Sequence, residues 1–191
     1  MLTPREAEDI FSRSGALLQG HFLLTSGRHS DRYMQCAQVL KHPDSTEVLA
    51  RELAARFRDD RVDLVVGPAM GGIIVAYEVA RQLGVPGIFC EREQGQMALR
   101  RGFRITPGQR VLVVEDVVTT GGSVREVMDV VRTAGAEVVG VGVLVDRSGG
   151  AVDFGVKTEA VLVMDIASWA PEECPLCAAG AAPPVKPGSR A

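Results

Sequence analysis

Two adjacent carboxylates, Glu115 and Asp116, stand between an apolar run and a segment rich in hydroxyls and glycine, residues 119–123 (TTGGS). A helical pattern of apolar residues begins directly after that segment. A glycine-rich turn at a helix N-terminus presents several backbone N–H groups, which suit an anion such as phosphate. The neighbouring carboxylates could hold ribose hydroxyls or a divalent cation. These residue types together predict a site for a ligand that carries both a sugar and a phosphate.

The alternative is an ordinary strand-to-helix turn in which Ser123 caps the helix. Capping alone does not require two carboxylates at the end of a strand, so the composition favours a phosphate site. The segment is not a Walker A loop, because it contains no Gly-Lys-Ser/Thr triplet. Gly140 and Gly142 lie inside another apolar run and lack the third glycine of a dinucleotide-binding loop, so we discard that interpretation.

Two other segments could contribute to binding an anion. Residues 67–72 (GPAMGG) are either a tight strand-to-helix loop or a second set of backbone amides for a diphosphate. Residues 91–104 read as a loop with some extended character and contain four arginines, at positions 92, 100, 101 and 104. Those arginines are either a solvated face or the cations of a mobile loop that closes over a charged leaving group.

Alternating strands and helices must position these segments. A capping box at Thr3 and Glu6 begins the first helix, and residues 16–36 read as a hairpin that forms a hood over the main sheet. The remaining periodicity predicts helices at about residues 4–13, 43–58, 73–83 and 123–134 and strands at 62–66, 86–90, 111–114, 137–145 and 159–166. This order predicts a doubly wound, mostly parallel α/β sheet. Ligands bind such sheets outside the carboxyl ends of the strands, where all the polar segments above would meet Asp146 and Arg147.

Composition narrows the class of protein. The chain has 191 residues, of which 46% are hydrophobic, and a net charge of −3, so it lacks the basic footprint of a nucleic-acid binder. We expect one domain over residues 1–177, with a hood at about 1–42 and a core at about 43–168, followed by a loose tail over 178–191. The N-terminus is not a signal peptide, and no apolar run reaches the roughly 18 residues of a membrane span, so we expect a cytoplasmic protein without membrane contact.

Cysteine and histidine supply no evident catalytic group. Cys36 and Cys90 read as small buried hydrophobic residues. Cys174 and Cys177 have the spacing of metal ligands but provide only half a zinc site, and the three histidines are far away in sequence. A structural or incidental pair is favoured over a metal site shared across a dimer interface. No Ser-His-Asp, Cys-His or HExxH arrangement is evident, so the predicted chemistry needs no protein nucleophile.

Residues 113–123 (VVEDVVTTGGS) resemble the diphosphoribose-binding signature of type I phosphoribosyltransferases. Other segments narrow the resemblance to orotate phosphoribosyltransferases: residues 20–33 resemble that family's hairpin, 67–72 its pyrophosphate loop, 91–103 its flexible loop and 145–147 its base-site strand end. The CPLC segment and residues 186–190 resemble the tail of one bacterial and archaeal branch. The resemblance covers nearly the whole chain and implies the type I phosphoribosyltransferase fold.

The resemblance implies transfer of the phosphoribosyl group from phosphoribosyl pyrophosphate to orotate, giving orotidine monophosphate and pyrophosphate in pyrimidine synthesis. It also implies Mg²⁺, held mainly by pyrophosphate, ribose and water without direct protein ligands, and a homodimer whose flexible loops reach toward the partner's site. The implied phosphoribosyl pyrophosphate site comprises Glu115, Asp116, Val117, Val118, Thr119, Thr120, Gly121, Gly122, Ser123, Arg92, Met70 and Gly71. The implied orotate site comprises Thr119, Arg147, Tyr33 and Met34, and the implied catalytic residues are Asp116, Glu115 and Arg92.

The chain departs from the family pattern at three places where many members carry cations. Thr25 stands in place of a lysine in the hairpin, Met70 and Gly71 stand where the pyrophosphate loop has one, and residues 94–96 (QGQ) form a short loop without lysine or histidine. Arg92 is the first candidate to replace those cations, followed by Arg100 and Arg101.

Two rival functions remain open. A phosphoribosyltransferase for a purine or for uracil would share the phosphoribosyl motif, although the hairpin and the Asp146-Arg147 pair argue against it. A regulator that senses phosphoribosyl pyrophosphate would need a DNA-binding module or a basic surface, and neither is evident.

Overall fold

A computed structural model describes residues 2–24 and 26–187. The helices are α1 (Pro4–Arg13), α2 (Ala37–Leu40), α3 (Pro43–Ala55), α4 (Gly71–Leu83), α5 (Gly122–Thr133) and α6 (Pro175–Ala178). The strands are β1 (Leu17–Leu23), β2 (His29–Met34), β3 (Leu64–Pro68), β4 (Gly87–Glu93), β5 (Gln96–Leu99), β6 (Arg110–Val118), β7 (Glu137–Asp146) and β8 (Thr158–Val163). No helix within these residues is long and apolar enough to cross a membrane.

The main sheet confirms the predicted fold class. Its six strands lie in the order β5-β4-β3-β6-β7-β8, and every neighbouring pair is parallel except β4 and β5. Strand β6 lies in the interior of the sheet, and Val111, Leu112, Val113 and Val114 are fully buried there. Leu112 and Val114 pack in the hydrophobic core that contains α3 and α4, whereas Val111 and Val113 pack in the core that contains α5. Such a strand must be apolar on both faces.

The predicted hood is a two-stranded antiparallel hairpin of β1 and β2. Helix α1 precedes it and begins with the expected capping box, in which the Thr3 and Glu6 side chains each accept a hydrogen bond from the other's backbone N–H. The hairpin is held from the far end of the chain, because His29 and Trp169 exchange two backbone hydrogen bonds of 2.8 and 2.9 Å. Thr25, which follows β1 in the sequence, lies outside the described residues.

The segment over residues 178–191, which the sequence predicted to be a loose tail, is paired with the hood at Val185. The Leu23 N–H donates to the Val185 carbonyl at 2.9 Å, and the Val185 N–H donates to the His21 carbonyl at 2.8 Å. Composition did not predict this contact because the tail pairs with an exposed strand edge and needs no periodicity of its own. Residues 188–191 lie outside the described part of the chain.

Three local expectations also need correction. Residues 91–104 are not mainly loop, since β4 and β5 form a hairpin whose tip residues Gln94 and Gly95 have φ of 51° and 87°, as a tight two-residue turn requires. Strand β6 continues four residues past the predicted end at Val114, to Val118. Helix α5 is capped by Gly121 with φ of 77° and not by Ser123.

Candidate active site

Glu115 and Asp116 lie among the last four residues of strand β6 and not after the strand. Glu115 is buried, and its Oε1 accepts a hydrogen bond of 3.1 Å from the Asp116 N–H. Asp116 Oδ1 accepts one of 2.8 Å from the Val117 N–H. Burial, and then the neighbouring Asp116 charge, raise the pKa of Glu115 to about 9. Burial also raises the pKa of Asp116. The pair therefore shares a site that disfavours two negative charges until a polar or cationic ligand arrives.

The segment after the carboxylates, which the sequence predicted to bind an anion, lines a concavity that we call the cradle. Residues 117–124 line a concavity of about 210 Å³ together with Arg92, Glu115 and Glu126. Gly121 is required at the turn, because its φ is positive and a Cβ there would meet the Phe154 ring at 2.8 Å. The first backbone N–H groups of α5 have no partner within the helix and point toward this turn. The cradle thus offers amides and hydroxyls to an anion.

The second glycine-rich loop packs directly against the two carboxylates. A Cβ added to Gly71 would overlap the Asp116 carboxylate, and one added to Gly72 would lie 3.2 Å from Glu115 Oε1. A Cβ at Gly67 would overlap the Gly72 carbonyl across the loop. The neighbouring Met70 is exposed, and the Ala69–Met70 peptide bond is cis. The glycines therefore allow the loop backbone to reach the acidic pair, which a side chain would prevent.

Arg92 reaches the cradle from strand β4. Its guanidinium forms an ion pair with Glu126 of α5 at 2.8 Å and donates to the Gly95 carbonyl at 2.8 Å. The side chain is half exposed and lines the same concavity as residues 117–124. The sequence did not point to Glu126, because it lies 34 residues away on the polar side of an ordinary amphipathic helix.

The other two candidate cations are not brought to the cradle. Arg100 pairs with Glu91 at 3.5 Å and with Glu93 at 3.3 Å, and Arg101 pairs with Glu91 at 3.0 Å. In these pairs the arginines are about half exposed and Glu91 is half-buried. The pairs depend on the β4–β5 hairpin, which the sequence did not predict. Arg92 is therefore the one of the three predicted cations that the structure places beside the anion cradle.

Arg147 lies where strand β7 ends beside strand β6, and its N–H donates to the Val118 carbonyl at 2.8 Å. Asp146 holds this corner by accepting hydrogen bonds from the Ser148 and Gly150 N–H groups. The Arg147 side chain is partly buried, and its Nε has no hydrogen-bond partner among the described residues. Burial lowers the pKa of Arg147, while Tyr33 and Cys36 raise it. A partly buried guanidinium whose Nε has no partner can bind an anionic ligand.

The hood meets this corner through strand β2. Tyr33 is half-buried and near enough to Arg147 to affect its titration, whereas the Met34 side chain is buried in the core. Cys36, just beyond β2, donates from Sγ to the Asp116 carbonyl at 3.7 Å, and burial raises its pKa well above the usual value. The sequence treated Cys36 only as a small hydrophobic residue, which is correct for its burial but misses its position behind Asp116.

A separate cluster contains Cys174 and Cys177, which the sequence predicted to be a structural or incidental pair. The structure brings both cysteines to His21 and His29 of the hood, with ligand atoms within 4.8 Å of one another. The sequence separation of about 150 residues hid this contact.

Comparisons with known proteins agree with the geometry. A model of the phosphoribosyl transferase domain matches residues 35–158. The chain is 66% identical over 189 residues to the orotate phosphoribosyltransferase of Pelotomaculum thermopropionicum, covering 99% of each chain. It is 61% identical to that of Desulforamulus reducens, covering 97% of this chain and 96% of the relative. The chain belongs to the orotate phosphoribosyltransferase family.

Solved structures of phosphoribosyltransferases share this fold. The crystal structure of orotate phosphoribosyltransferase from Aeropyrum pernix is similar with a TM-score of 0.66 and 31% identity, over 82% of this chain and 93% of that one. An adenine phosphoribosyltransferase from Rhodothermus marinus shares the fold at 23% identity and a TM-score of 0.62. The fold alone therefore does not identify the base.

Proposed function

We propose that the chain transfers the 5-phosphoribosyl group from phosphoribosyl pyrophosphate to orotate, releasing pyrophosphate and orotidine 5′-monophosphate. The observation that carries the choice of base is the partly buried Arg147, whose Nε lacks a partner beside Tyr33. Orotate is an anion at neutral pH, and its carboxylate matches a guanidinium in both charge and shape. Family membership supports the same substrate, since the relatives named above are orotate phosphoribosyltransferases.

The phosphoribosyl half of the substrate would occupy the end of strand β6. Glu115 and Asp116 accept hydrogen bonds from the ribose hydroxyls, and the cradle of residues 117–123 binds the 5′-phosphate through backbone N–H groups and the hydroxyls of Thr119, Thr120 and Ser123. Carboxylates suit hydroxyl donors even when one of the pair is protonated, because a protonated carboxyl can donate to a hydroxyl oxygen.

The base would lie between this strand and the hood. Arg147 binds the orotate carboxylate, Thr119 contacts the ring, and the backbone at Tyr33 and Met34 supplies further polar contacts. The parallel register places Val118 opposite Asp146, so Thr119 and Arg147 follow adjacent positions of neighbouring strands. This adjacency holds the base near the anomeric carbon.

The leaving group would lie near the loop of residues 67–72, with Met70 and Gly71 contributing backbone contacts and Arg92 contributing a charge. Breaking the anomeric C–O bond leaves positive charge on the ribose and negative charge on pyrophosphate. Groups that are already in place to stabilise these charges lower the barrier more than groups that must reorganise. Arg92 can exchange Glu126 for the leaving pyrophosphate, since the pair is exposed and hence weak.

The site also fits Mg²⁺, which pyrophosphate, ribose and water would hold without direct protein ligands. Mg²⁺ prefers oxygen ligands and usually keeps several waters while it binds substrate phosphates. Glu115 and Asp116 would act through the ribose hydroxyls, and Gly71 lets the loop backbone approach this acidic pair. When bound, Mg²⁺ would neutralise charge that develops on the pyrophosphate. The remaining work of these residues is to align the orotate nitrogen with the anomeric carbon and to keep water away.

A homodimer is part of this proposal. Three apolar side chains, Met70, Ile74 and Tyr77, are exposed on and just before helix α4 with the spacing of one helical face. A second copy of the chain would cover this face beside the pyrophosphate loop. Light scattering of the purified protein should give the mass of a dimer, and a monomer at micromolar concentration would contradict it. A cytoplasmic location stays a prediction of the sequence.

The test of base recognition is Arg147→Ala, with Arg147→Lys as the matched variant that keeps the charge. Loss of the guanidinium should raise the KM for orotate by roughly 10²-fold while the KM for phosphoribosyl pyrophosphate changes little. The lysine variant should recover part of the loss. An unchanged KM for orotate in Arg147→Ala would exclude the assigned base site.

A further inference from the structure

The His and Cys side chains at the hood form a second site that the proposed transfer reaction does not use. His21 lies in strand β1, and His29 begins strand β2. Cys174 directly precedes helix α6, and Cys177 lies within it. His29 and Cys174 are buried, His21 is half-buried and Cys177 is exposed. Among the described residues, this is the one group of three or more potential metal-binding side chains whose ligand atoms converge.

The distances between the four ligand atoms match a tetrahedral zinc ion. Usual Zn–N and Zn–S bond lengths require separations of about 3.4 Å between two nitrogens and about 3.6 Å between nitrogen and sulfur. His21 Nε2 and His29 Nδ1 are 3.1 Å apart, and Cys174 Sγ and Cys177 Sγ lie 3.5 and 3.7 Å from His21 Nε2. Cys177 Sγ is 3.3 Å from His29 Nδ1. Each of these four separations lies within a few tenths of an ångström of the ideal value, and the two remaining pairs of ligand atoms lie within 4.8 Å of each other.

The second nitrogen of His21 is arranged as in established metal sites. His21 Nδ1 lies 2.8 Å from the Ala182 carbonyl oxygen, which can only accept a hydrogen bond. Nδ1 must therefore carry the proton, which leaves the Nε2 lone pair directed at the other three side chains.

We propose that His21, His29, Cys174 and Cys177 bind one Zn²⁺ as a closed structural site. Both thiols lose their protons on binding, so two thiolates balance the charge of the ion and no net charge is left in the partly buried site. Four protein ligands fill the tetrahedron and leave no position for a substrate, which distinguishes the site from a catalytic zinc. It is independent of Mg²⁺, which prefers oxygen ligands.

The zinc site ties the C-terminal segment to the hood. Backbone hydrogen bonds already join His29 to Trp169 and Leu23 to Val185, and Ser30 Oγ donates to the Ala167 carbonyl at 2.8 Å. A metal that joins residues about 150 positions apart would add a link that closes a long loop in the chain. Strand β2 also carries Tyr33 and Met34, so the ion would fix the orientation of the hood over the base site.

The experiment is to measure zinc in the purified, active protein by inductively coupled plasma mass spectrometry. We expect one zinc per chain in the wild type, less than a tenth of that in Cys177→Ser, and full zinc in the control variants His42→Ala and Cys90→Ala. His42 and Cys90 are the histidine and a cysteine outside the cluster, so they control for non-specific binding. Cys177 is exposed, and its replacement leaves the core intact.

A second measurement uses metal replacement in the wild type and removal of the metal by a chelator. Replacing the metal with Co²⁺ should give the intense visible bands of a tetrahedral site with two thiolates, and a strong chelator should lower the thermal midpoint of the wild type but not that of Cys177→Ser. Absence of zinc together with absence of these bands would overturn the proposal, as would stoichiometric iron in place of zinc. Orotate turnover is scored separately, so loss of either proposal leaves the other standing.

Discussion

The two polar clusters of this molecule differ in how completely their charges are satisfied. At the end of strand β6, Glu115, Asp116 and Arg147 are buried or partly buried without ion-pair partners within the site, and their pKa values move in the directions that burial dictates. At the hood, four ligand atoms converge on a single point and could all be satisfied by one ion. The first cluster is open and needs its substrates to complete it. The second is closed and serves the fold.

This difference predicts opposite responses to substitution. Changes at the strand end should remove activity and leave folding intact or improve it, because the site carries an electrostatic cost that only the substrates offset. Changes at the hood cluster should weaken attachment of the C-terminal segment and affect activity only through the position of the hood.

The largest effect is expected from Asp116→Ala, which should lower kcat/KM by roughly 10²- to 10³-fold because a preorganised contact to the ribose is lost. Steady-state kinetics with both substrates measures it, and the zinc content of the variant should equal that of the wild type. Near-normal turnover would show that the acidic pair is only structural.

Arg92→Ala should have the next largest effect, lowering kcat by roughly 10-fold or more while the KM for orotate is nearly unchanged. The matched control is Arg100→Ala, because Arg100 pairs with Glu91 and Glu93 on the β4–β5 hairpin, away from the cradle. Equal losses in the two variants, or a loss confined to orotate affinity, would argue against a leaving-group role for Arg92.

The smallest of the three effects is expected from Glu115→Gln, which should stabilise the fold rather than impair it. The pKa of Glu115 is raised to about 9 in the fold, so between its ordinary value and pH 9 the folded state holds more protons than the unfolded state. Wild-type stability must therefore fall as pH rises through this window. Glutamine cannot ionise, and relief of even 1–2 kcal/mol would raise the Tm at pH 8 by roughly 3–6 °C.

The control for that prediction is Glu172→Gln, at an exposed position where no change in Tm is expected. The difference in Tm between Glu115→Gln and the wild type should grow from pH 5 to pH 8, while activity falls. A difference that is constant with pH would mean that Glu115 is ionised in the free enzyme.

The sequence was most informative where chemistry and local structure coincide. Residues 113–123 specify a buried strand, two acids, a turn and a helix in one continuous run, so both the fold class and the phosphoribosyl half of the site could be predicted from them. Arg92, which the sequence predicted as the cation near that half, lies at the carboxyl end of strand β4 and lines the same concavity.

What the sequence could not supply depends on contacts between distant segments. The pairing of Arg92 with Glu126 and the approach of Gly71 to Asp116 require the packed sheet and helices. The meeting of His21 with Cys174 requires the chain to close over 153 residues. Local periodicity carries no signal for such contacts, and hence none for the pairing of the tail with the hood at Val185.

The open cluster at the end of strand β6 is proposed to select orotate for phosphoribosyl transfer. Comparison of orotate with other bases as substrates is the most direct test. Pyrophosphate release from phosphoribosyl pyrophosphate would be followed with orotate, adenine, guanine and uracil, each with Mg²⁺ added and withheld. We expect release with orotate alone, and only when Mg²⁺ is present. Faster release with a purine or with uracil would contradict the selection of orotate. Tight binding of phosphoribosyl pyrophosphate without turnover of any base would contradict phosphoribosyl transfer itself.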